Sequence, residues 1–189
     1  FAFLGAAVST AVVYFIGSGA ALGANGKANP ATLVLAGVAL AAVLSGVTQF
    51  LTLLDPNTFQ AIRSWGLGSV ARAELADTAL VAPFLAAGLV VALAISPSLN
   101  SIALGDDLAS ALGTKIVRTR VLGIIAITLL AGGATALTGG LAFVGLMVPH
   151  VVRWIVGPDQ RWILLYSALA APVLVLAADI IGRIIARPS

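Results

Sequence analysis

Long apolar runs, separated by short groups of glycines, prolines and charges, are the feature that most restricts the fold of this chain. We place the runs at residues 1–22, 31–54, 78–97, 117–137, 141–156 and 162–185. A helix needs about 20 predominantly apolar residues to cross the hydrocarbon core of a bilayer. Charged residues make up only 9% of the chain, against about 25% in an average soluble domain. The sequence therefore predicts an all-α fold, a polytopic transmembrane helical bundle.

The same composition excludes several kinds of site. The chain has no cysteine and one histidine, His150. We therefore expect no disulfide and no thiolate site, and His150 lacks the second histidine or nearby carboxylate that a catalytic metal site needs. The Gly-Lys pair at 26–27 lacks the spacing and the following Ser or Thr of a phosphate-binding loop. No catalytic residue, metal or cofactor is predicted, and any ATP and Mg²⁺ must bind to a partner subunit.

The positions of the basic residues predict an orientation, because short cytoplasmic loops carry an excess of Lys and Arg. Six of the ten basic residues fall on one side of the alternating runs. This excess places the loop at 98–116 in the cytoplasm. The net charge of +3 is expected to orient the protein, and no nucleic-acid partner is predicted.

The segment at 55–77 is too polar to cross a membrane and too long for a simple turn. Its centre alternates apolar and polar residues as a short interfacial helix does, and Asp55-Pro56-Asn57 supplies a turn and a cap. Two interpretations stay open. The segment is either an external loop whose Trp65 belongs to an aromatic belt, or an external helix at 57–68 that lines the pathway and turns Arg63 towards a partner.

The loop at 96–120 is the second polar interruption. Ser96-Pro97-Ser98 is expected to break the preceding helix, and two helical pieces are expected between that break and Gly113, a good helix stop. Asp106 and Asp107 lie near the first turn of the main piece, where carboxylates favour the positive end of the helix dipole. This segment is either a solvated loop with ordinary capping or a short amphipathic helix offered to the groove of a motor subunit.

Two further features lie within the apolar runs. The stretch at 138–150 is rich in glycine and closed by Pro149, which predicts a broken helix; such backbone at membrane depth is expected to face the bundle interior. His150 is expected to be structural. Asp179 precedes Arg183 by four residues, a spacing that allows an ion pair, and a structural pairing and a role in transport both remain open.

The strings GLAFVGLMVPHVVR at 140–153, GPDQR at 157–161 and ADIIGR at 178–183 resemble the signature of the iron-siderophore and vitamin B12 permease family of ABC importers. The stretches at 35–40, 65–69 and 104–113 fall in the family's order, so the resemblance covers essentially the whole chain. It implies a type II importer permease with about ten transmembrane helices. Residues 1–189 are then expected to be one transmembrane permease domain, truncated at both ends, that holds about six of those helices.

The function implied by the resemblance is transport. A permease subunit in the bacterial cytoplasmic (inner) membrane would form the translocation pathway by alternating access, for ferric siderophores or, as an alternative, for haem or cobalamin. Its expected partners are a second permease subunit, a cytoplasmic ATPase dimer, an extracytoplasmic solute-binding protein and membrane lipid. The chain itself is not expected to be an enzyme, because ATP hydrolysis would take place on the ATPase.

The resemblance also implies roles for single residues. The loop at 101–113 would form the coupling helices that press into the ATPase, with the residues Ala103, Leu104, Gly105, Asp106, Asp107, Leu108, Ala109, Ala111, Leu112 and Gly113. Arg183 and, by region only, Arg63 would dock the binding protein, with Asp179 orienting Arg183. A structural motif would consist of Asp179, Gly139, Gly140, Gly145, Pro149, His150 and Arg153. The chain departs from the family at 70–73, where a further aromatic residue is often found.

Two other classes of protein have apolar bundles of this kind and differ in the residues that they need. An ion-coupled secondary transporter would need ionisable groups near the membrane midplane, but Asp179 and His150 both lie towards an interface. An intramembrane enzyme would need a nucleophile and a base, or metal ligands, on facing helices. The residues favour the importer permease over both.

Overall fold

A computed structural model describes residues 2–17, 30–55, 59–60, 62, 65–66, 68, 75–141 and 143–185, and the side chains of Ala2, Pro30 and Arg183 lie outside the described part. Seven helices have described bounds. They are α1 (Ala2–Gly17), α2 (Pro30–Leu54), α3 (Leu75–Ile102), α4 (Asp106–Ala111), α5 (Ile116–Thr138), α6 (Val144–Val156) and α7 (Gln160–Ile185). Of the predicted external helix at 57–68, residues 59–60, 62 and 65–66 are helical.

Four helices in the described part are long and apolar enough to cross a membrane. They correspond to Ala31–Leu54 in α2, all of α3, all of α5, and Gln160–Gly182 in α7. The helices α1 and α6 are apolar but shorter. The 28 residues of α3 reach about 42 Å at about 1.5 Å per residue, which exceeds the hydrocarbon thickness of about 30 Å. The predicted class, an all-α bundle of apolar helices, is confirmed.

The chain divides into two compact units, residues 1–67 and 68–189. In the first unit α1 packs against α2. A β-carbon added to Gly17, the last residue of α1, would overlap the side chain of Leu33 in α2. The absence of a side chain at Gly17 therefore lets these two helices meet.

The second unit contains a closely packed pair, α3 and α5. A β-carbon on Gly88 would lie 2.9 Å from Leu130 Cγ, and one on Gly133 would lie 2.7 Å from Leu85 Cδ2. Small residues permit this approach where lipid provides no hydrophobic drive between helices. The helix α7 contacts both α3 and α6. Its contact with α6 is built on Val148, Val152 and Ile163.

The predicted break at Ser96-Pro97-Ser98 is wrong, because α3 continues through it to Ile102. A proline inside a helix leaves the carbonyl four residues earlier without its amide donor. That carbonyl belongs to Leu93, and the fully buried Ser96 hydroxyl donates a hydrogen bond to it at 2.8 Å. Serine side chains re-satisfy backbone groups in this way inside membranes. The first of the two expected helical pieces is consequently part of α3.

A break does occur in the predicted glycine-rich stretch, where residues 139–143 separate α5 from α6. Gly139 has a φ of +74°, and its amide donates to the Thr135 carbonyl at 3.0 Å, so α5 ends in the left-handed conformation that glycine favours. Pro149 lies inside α6 instead of closing the stretch. Gly139 is buried whereas Phe143 is 76% exposed, so among the described residues of the break it is the first that faces the interior of this unit.

Candidate functional site

The six-residue helix α4 lies between α3 and α5 and is bounded by two glycines. Gly105 has a φ of +107° and Gly113 a φ of +83°. The Gly113 amide donates to the Ser110 carbonyl at 3.0 Å, and the Thr114 amide donates to the Ala109 carbonyl at 2.9 Å. These two bonds around a left-handed glycine form a Schellman motif. Gly113 is thus the helix stop that the sequence predicts, and α4 has a fixed end.

Three leucines of this loop are exposed. Leu104 precedes α4 in the turn after α3, Leu108 lies in α4, and Leu112 directly follows it. They are 64%, 50% and 62% exposed, while Ala109 is completely buried. A spacing of four residues places Leu108 and Leu112 on one side of the helix. Apolar side chains gathered on a polar loop are typical of an interaction surface.

An ion pair attaches α4 to α5. Arg120 Nη2 donates to the two carboxylate oxygens of Asp106 at 3.0 Å and 2.8 Å. The side chains are 24% and 31% exposed, so water screens the pair only in part. Asp106 therefore has a specific partner besides the helix dipole considered from the sequence. The sequence reasoning missed this pair, because the two residues lie 14 positions apart and no local rule connects them.

A polar network joins the end of α3 to the start of α7. Asn100 Nδ2 donates to Asp159 Oδ1 at 2.8 Å, and the Gln160 amide donates to Asn100 Oδ1 at 2.9 Å. The Arg161 amide also donates to Asp159 Oδ1, at 2.9 Å. The Asn100 hydrogen bond, followed by that of the Arg161 amide, lowers the pKa of Asp159 below its ordinary value. Asn100 was not singled out from the sequence, because its partner lies 59 positions away.

The glycine break is held by close packing. Gly68 has a φ of +61°, and a β-carbon there would lie 2.9 Å from Leu141 Cδ2 and 3.3 Å from the Thr138 carbonyl oxygen. Beside this contact lies a cavity of about 210 Å³. Its lining consists of Gly68, Leu141, Val144, Leu174, Val175, Ala178 and Asp179. The structure thus brings Asp179 next to the break, two features that the sequence could only treat separately.

Some of the remaining predicted site residues lie in the described part of the chain, and others lie outside it. The His150 ring lies 5.3 Å from the Trp154 ring between centroids, and His150, Arg153 and Gly145 are exposed. Within the described residues, no group of three or more His, Cys, Asp or Glu side chains could hold a metal ion. Arg63 and the side chain of Arg183 lie outside the described residues, so their docking roles stay predictions.

Comparison with known proteins gives a consistent result. The sequence profile of the FecCD transport family matches residues 1–189. The chain is 48% identical over 185 residues to the ferric enterobactin transport system permease protein FepD of Escherichia coli (strain K12). This alignment covers 97% of this chain and 54% of FepD. It is 34% identical to the cobalamin import system permease protein BtuC of Halobacterium salinarum, over 96% of this chain and 48% of that protein. The chain spans about half the length of the curated relatives it matches.

A solved structure is also similar. It is an inward-facing ABC transporter described as being of the metal-chelate type, and it matches with a TM-score of 0.82 over 95% of this chain and 56% of that chain. The identity is 23%. At this level the likeness supports the arrangement of the helices alone.

Proposed function

Because the chain belongs to the FecCD transport family, we propose that it forms a membrane-spanning permease of a binding-protein-dependent ABC importer in the bacterial inner membrane. Ferric siderophores are the proposed substrate class. Support comes from the 48% identity to the ferric enterobactin permease FepD and the 37% identity to a siderophore permease protein, YfiZ, of Bacillus subtilis. The proposed partners are a second permease subunit, two cytoplasmic ATPases and an extracytoplasmic binding protein.

The exposed leucines of α4 are the observation that carries the proposal. Leu108 lies in α4 and Leu112 directly follows it, both between Gly105 and Gly113. The Asp106 carboxylate ties α4 to α5. A partner would meet an apolar surface that is already ordered, so little conformational entropy would be lost on binding. An amphipathic helix seated in a groove is a recurring mode of protein recognition. We assign the groove to the ATPase.

In the proposed mechanism, ATP binding closes the ATPases and moves α4. The Asp106–Arg120 ion pair passes this movement to α5, and α4 also contacts α3. The Asn100–Asp159 hydrogen bond connects α3 to the turn before α7. Movement of α4 would therefore be shared among three long apolar helices, which open the pathway to one side or the other. The chain itself makes and breaks no bonds, and ATP and Mg²⁺ belong to the ATPase.

Haem or cobalamin is the second candidate substrate. It is favoured by the relatives named for cobalamin import, at 34% identity, and for hemin transport, the permease protein HmuU of Yersinia pestis, at 30%. ATP hydrolysis by the reconstituted complex distinguishes the substrates. We expect stimulation by a binding protein loaded with a ferric siderophore and none by binding proteins loaded with haem or cobalamin.

Substitution on α4 tests the coupling assignment. The full-length permease carrying Leu108→Asp and Leu112→Asp is assembled with its ATPase and binding protein in vesicles. We expect ATPase association and transport to fall by about tenfold or more, since central apolar contacts dominate interface energies. The matched control, Leu108→Met with Leu112→Met, keeps the apolar surface and should retain both properties. Normal association and transport in the aspartate variant would contradict the proposal.

A further inference from the structure

A groove of about 760 Å³ lies where the loop after α4 enters α5, and it has no role in the proposed mechanism. Lys115 and Arg118 line it around the first turn of α5, and Ile116, Val117, Val121 and Leu122 supply its apolar part. Ser110 and Thr114 add two hydroxyl groups. Among the residues that the structure describes, the lining includes two basic residues and no acidic one. The groove thus carries positive charge at the start of α5 and apolar side chains that continue one turn further along the helix.

The position of the groove along α5 matters for its occupant. The 23 residues of α5 span about 35 Å, slightly more than the hydrocarbon core of about 30 Å. Lys115 and Arg118 then stand at the level of the lipid headgroups. Val121 and Leu122 lie one turn further along the helix, at the level of the acyl chains.

We propose that this groove binds one anionic phospholipid of the cytoplasmic leaflet. Its phosphate would lie on Lys115 and Arg118, and an acyl chain would follow Val117 and Val121. Basic pockets on the cytoplasmic side of membrane proteins bind anionic headgroups, and about 760 Å³ lies in the range of small-molecule pockets, about 300–1,000 Å³, so the groove would take the headgroup and part of the acyl chains. A free phosphate would use only the charged end and leave the apolar part empty. The assignment to the cytoplasmic leaflet rests on the proposed function, because it requires the loop at 98–116 to lie in the cytoplasm; the binding of an anionic phospholipid does not.

The other basic pair on the same predicted side supplies a matched control. Arg153 and Arg161 are exposed and do not line this groove. Lys115→Gln with Arg118→Gln and Arg153→Gln with Arg161→Gln each remove two positive charges. Only the first pair of changes alters the groove. A third variant, Val121→Trp, fills the apolar part and leaves the charge unchanged.

The experiment measures lipid retention by the full-length permease in its complex with the ATPase. The complex is stripped of native lipid in detergent, incubated with equal amounts of phosphatidylglycerol and phosphatidylcholine, and examined by native mass spectrometry. We expect the wild type to retain phosphatidylglycerol, the Lys115 and Arg118 variant to retain about tenfold less, and Val121→Trp also to retain less. The Arg153 and Arg161 variant should match the wild type.

Several results would overturn the proposal. Equal losses in the two charge-removal variants would indicate diffuse attraction instead of a site. Unchanged retention in the Lys115 and Arg118 variant, with weaker ATPase association, would assign the groove to the ATPase. Displacement of phosphatidylglycerol by millimolar inorganic phosphate would indicate a plain anion site. Size-exclusion profiles check that each variant is folded, and failure here would leave the α4 leucine experiment unaffected.

Discussion

Two interruptions of the long helices, the α4 loop at 103–115 and the glycine break at 139–143, are fixed by different forces. The α4 loop is fastened by the Asp106–Arg120 ion pair, whereas the break is fastened by the fit of Gly68 against Leu141. Both use a left-handed glycine to end a helix. Asp179 lines the cavity beside the break, but the contact that fixes the break is the close packing of Gly68 against Leu141. The contrast indicates that one chain uses polar contacts at the membrane edge and small residues within its packed helices.

Replacing Gly68 by alanine tests the packed region and should have the largest effect. The new β-carbon would lie 2.9 Å from Leu141 Cδ2, and the φ of +61° costs a non-glycine residue about 1–2 kcal/mol. With the steric conflict added, we expect the free energy of unfolding of the full-length permease to fall by about 2–3 kcal/mol. Denaturant unfolding in detergent measures it.

Gly66 provides the matched control for this change. No atom lies within 4 Å of a β-carbon added there and residue 66 is helical, so Gly66→Ala should be neutral or should stabilise the protein by up to about 1 kcal/mol. If both alanine variants were equally stable, the break would not depend on packing at Gly68, and the contrast between the two regions would fail.

Replacing Arg120 by glutamine tests the polar region and should have an intermediate effect. Both partners are partly exposed, so the pair should contribute about 0.5–1 kcal/mol. A double-mutant cycle with Asp106→Asn isolates this energy. Because salt screens exposed charges, the coupling energy should shrink as ionic strength rises, while the loss in Gly68→Ala should not. A coupling energy of zero at low salt would show that the pair does not hold α4.

Protonation of Asp159 sharpens the comparison and should have the smallest effect, because this side chain is only partly buried. Its pKa is lowered from 3.8 by the Asn100 and Arg161 hydrogen bonds. A lowered folded-state pKa contributes stability above the unfolded value and loses it as pH falls through the folded value. We expect the unfolding temperature of the wild type to exceed that of Asp159→Asn at pH 7, and the difference to narrow below about pH 3.8. A difference independent of pH would contradict this assignment.

The sequence predicted those parts of the fold that depend on local physics. Long apolar runs form helices in a bilayer because lipid cannot satisfy their backbone polar groups, so the helical bundle could be predicted. Gly113 ends its helix as predicted, and the break predicted for the glycine-rich stretch begins at Gly139, because a positive φ is a property of one residue and its neighbours. The helix break predicted at Pro97 was wrong because proline removes one amide donor, and here the Ser96 hydroxyl supplies a donor in its place.

The candidate site was predicted less completely. The loop of α4 could be singled out, since its polar residues and spacing are visible in the chain. The side-chain contacts that hold the loop could not be predicted. Arg120 and Asp106 meet only after α3 and α5 pack against each other, and Asn100 bonds to Asp159 across 59 positions. The contact of Gly68 with the break likewise requires the fold. Sequence patterns therefore singled out the candidate loop, and tertiary structure showed which residues connect it to the neighbouring helices.

The serine and proline within α3 also restrict the order in which this chain can change. With Pro97 present, loss of the Ser96 hydroxyl leaves the Leu93 carbonyl without its donor, a defect of several kcal/mol inside a membrane. If Pro97 is replaced first, the new residue at position 97 has a backbone amide that donates to the Leu93 carbonyl, and the Ser96 hydroxyl is no longer needed. A change of both residues is therefore tolerated only when position 97 changes before position 96, and a chain that keeps Pro97 is expected to keep Ser96.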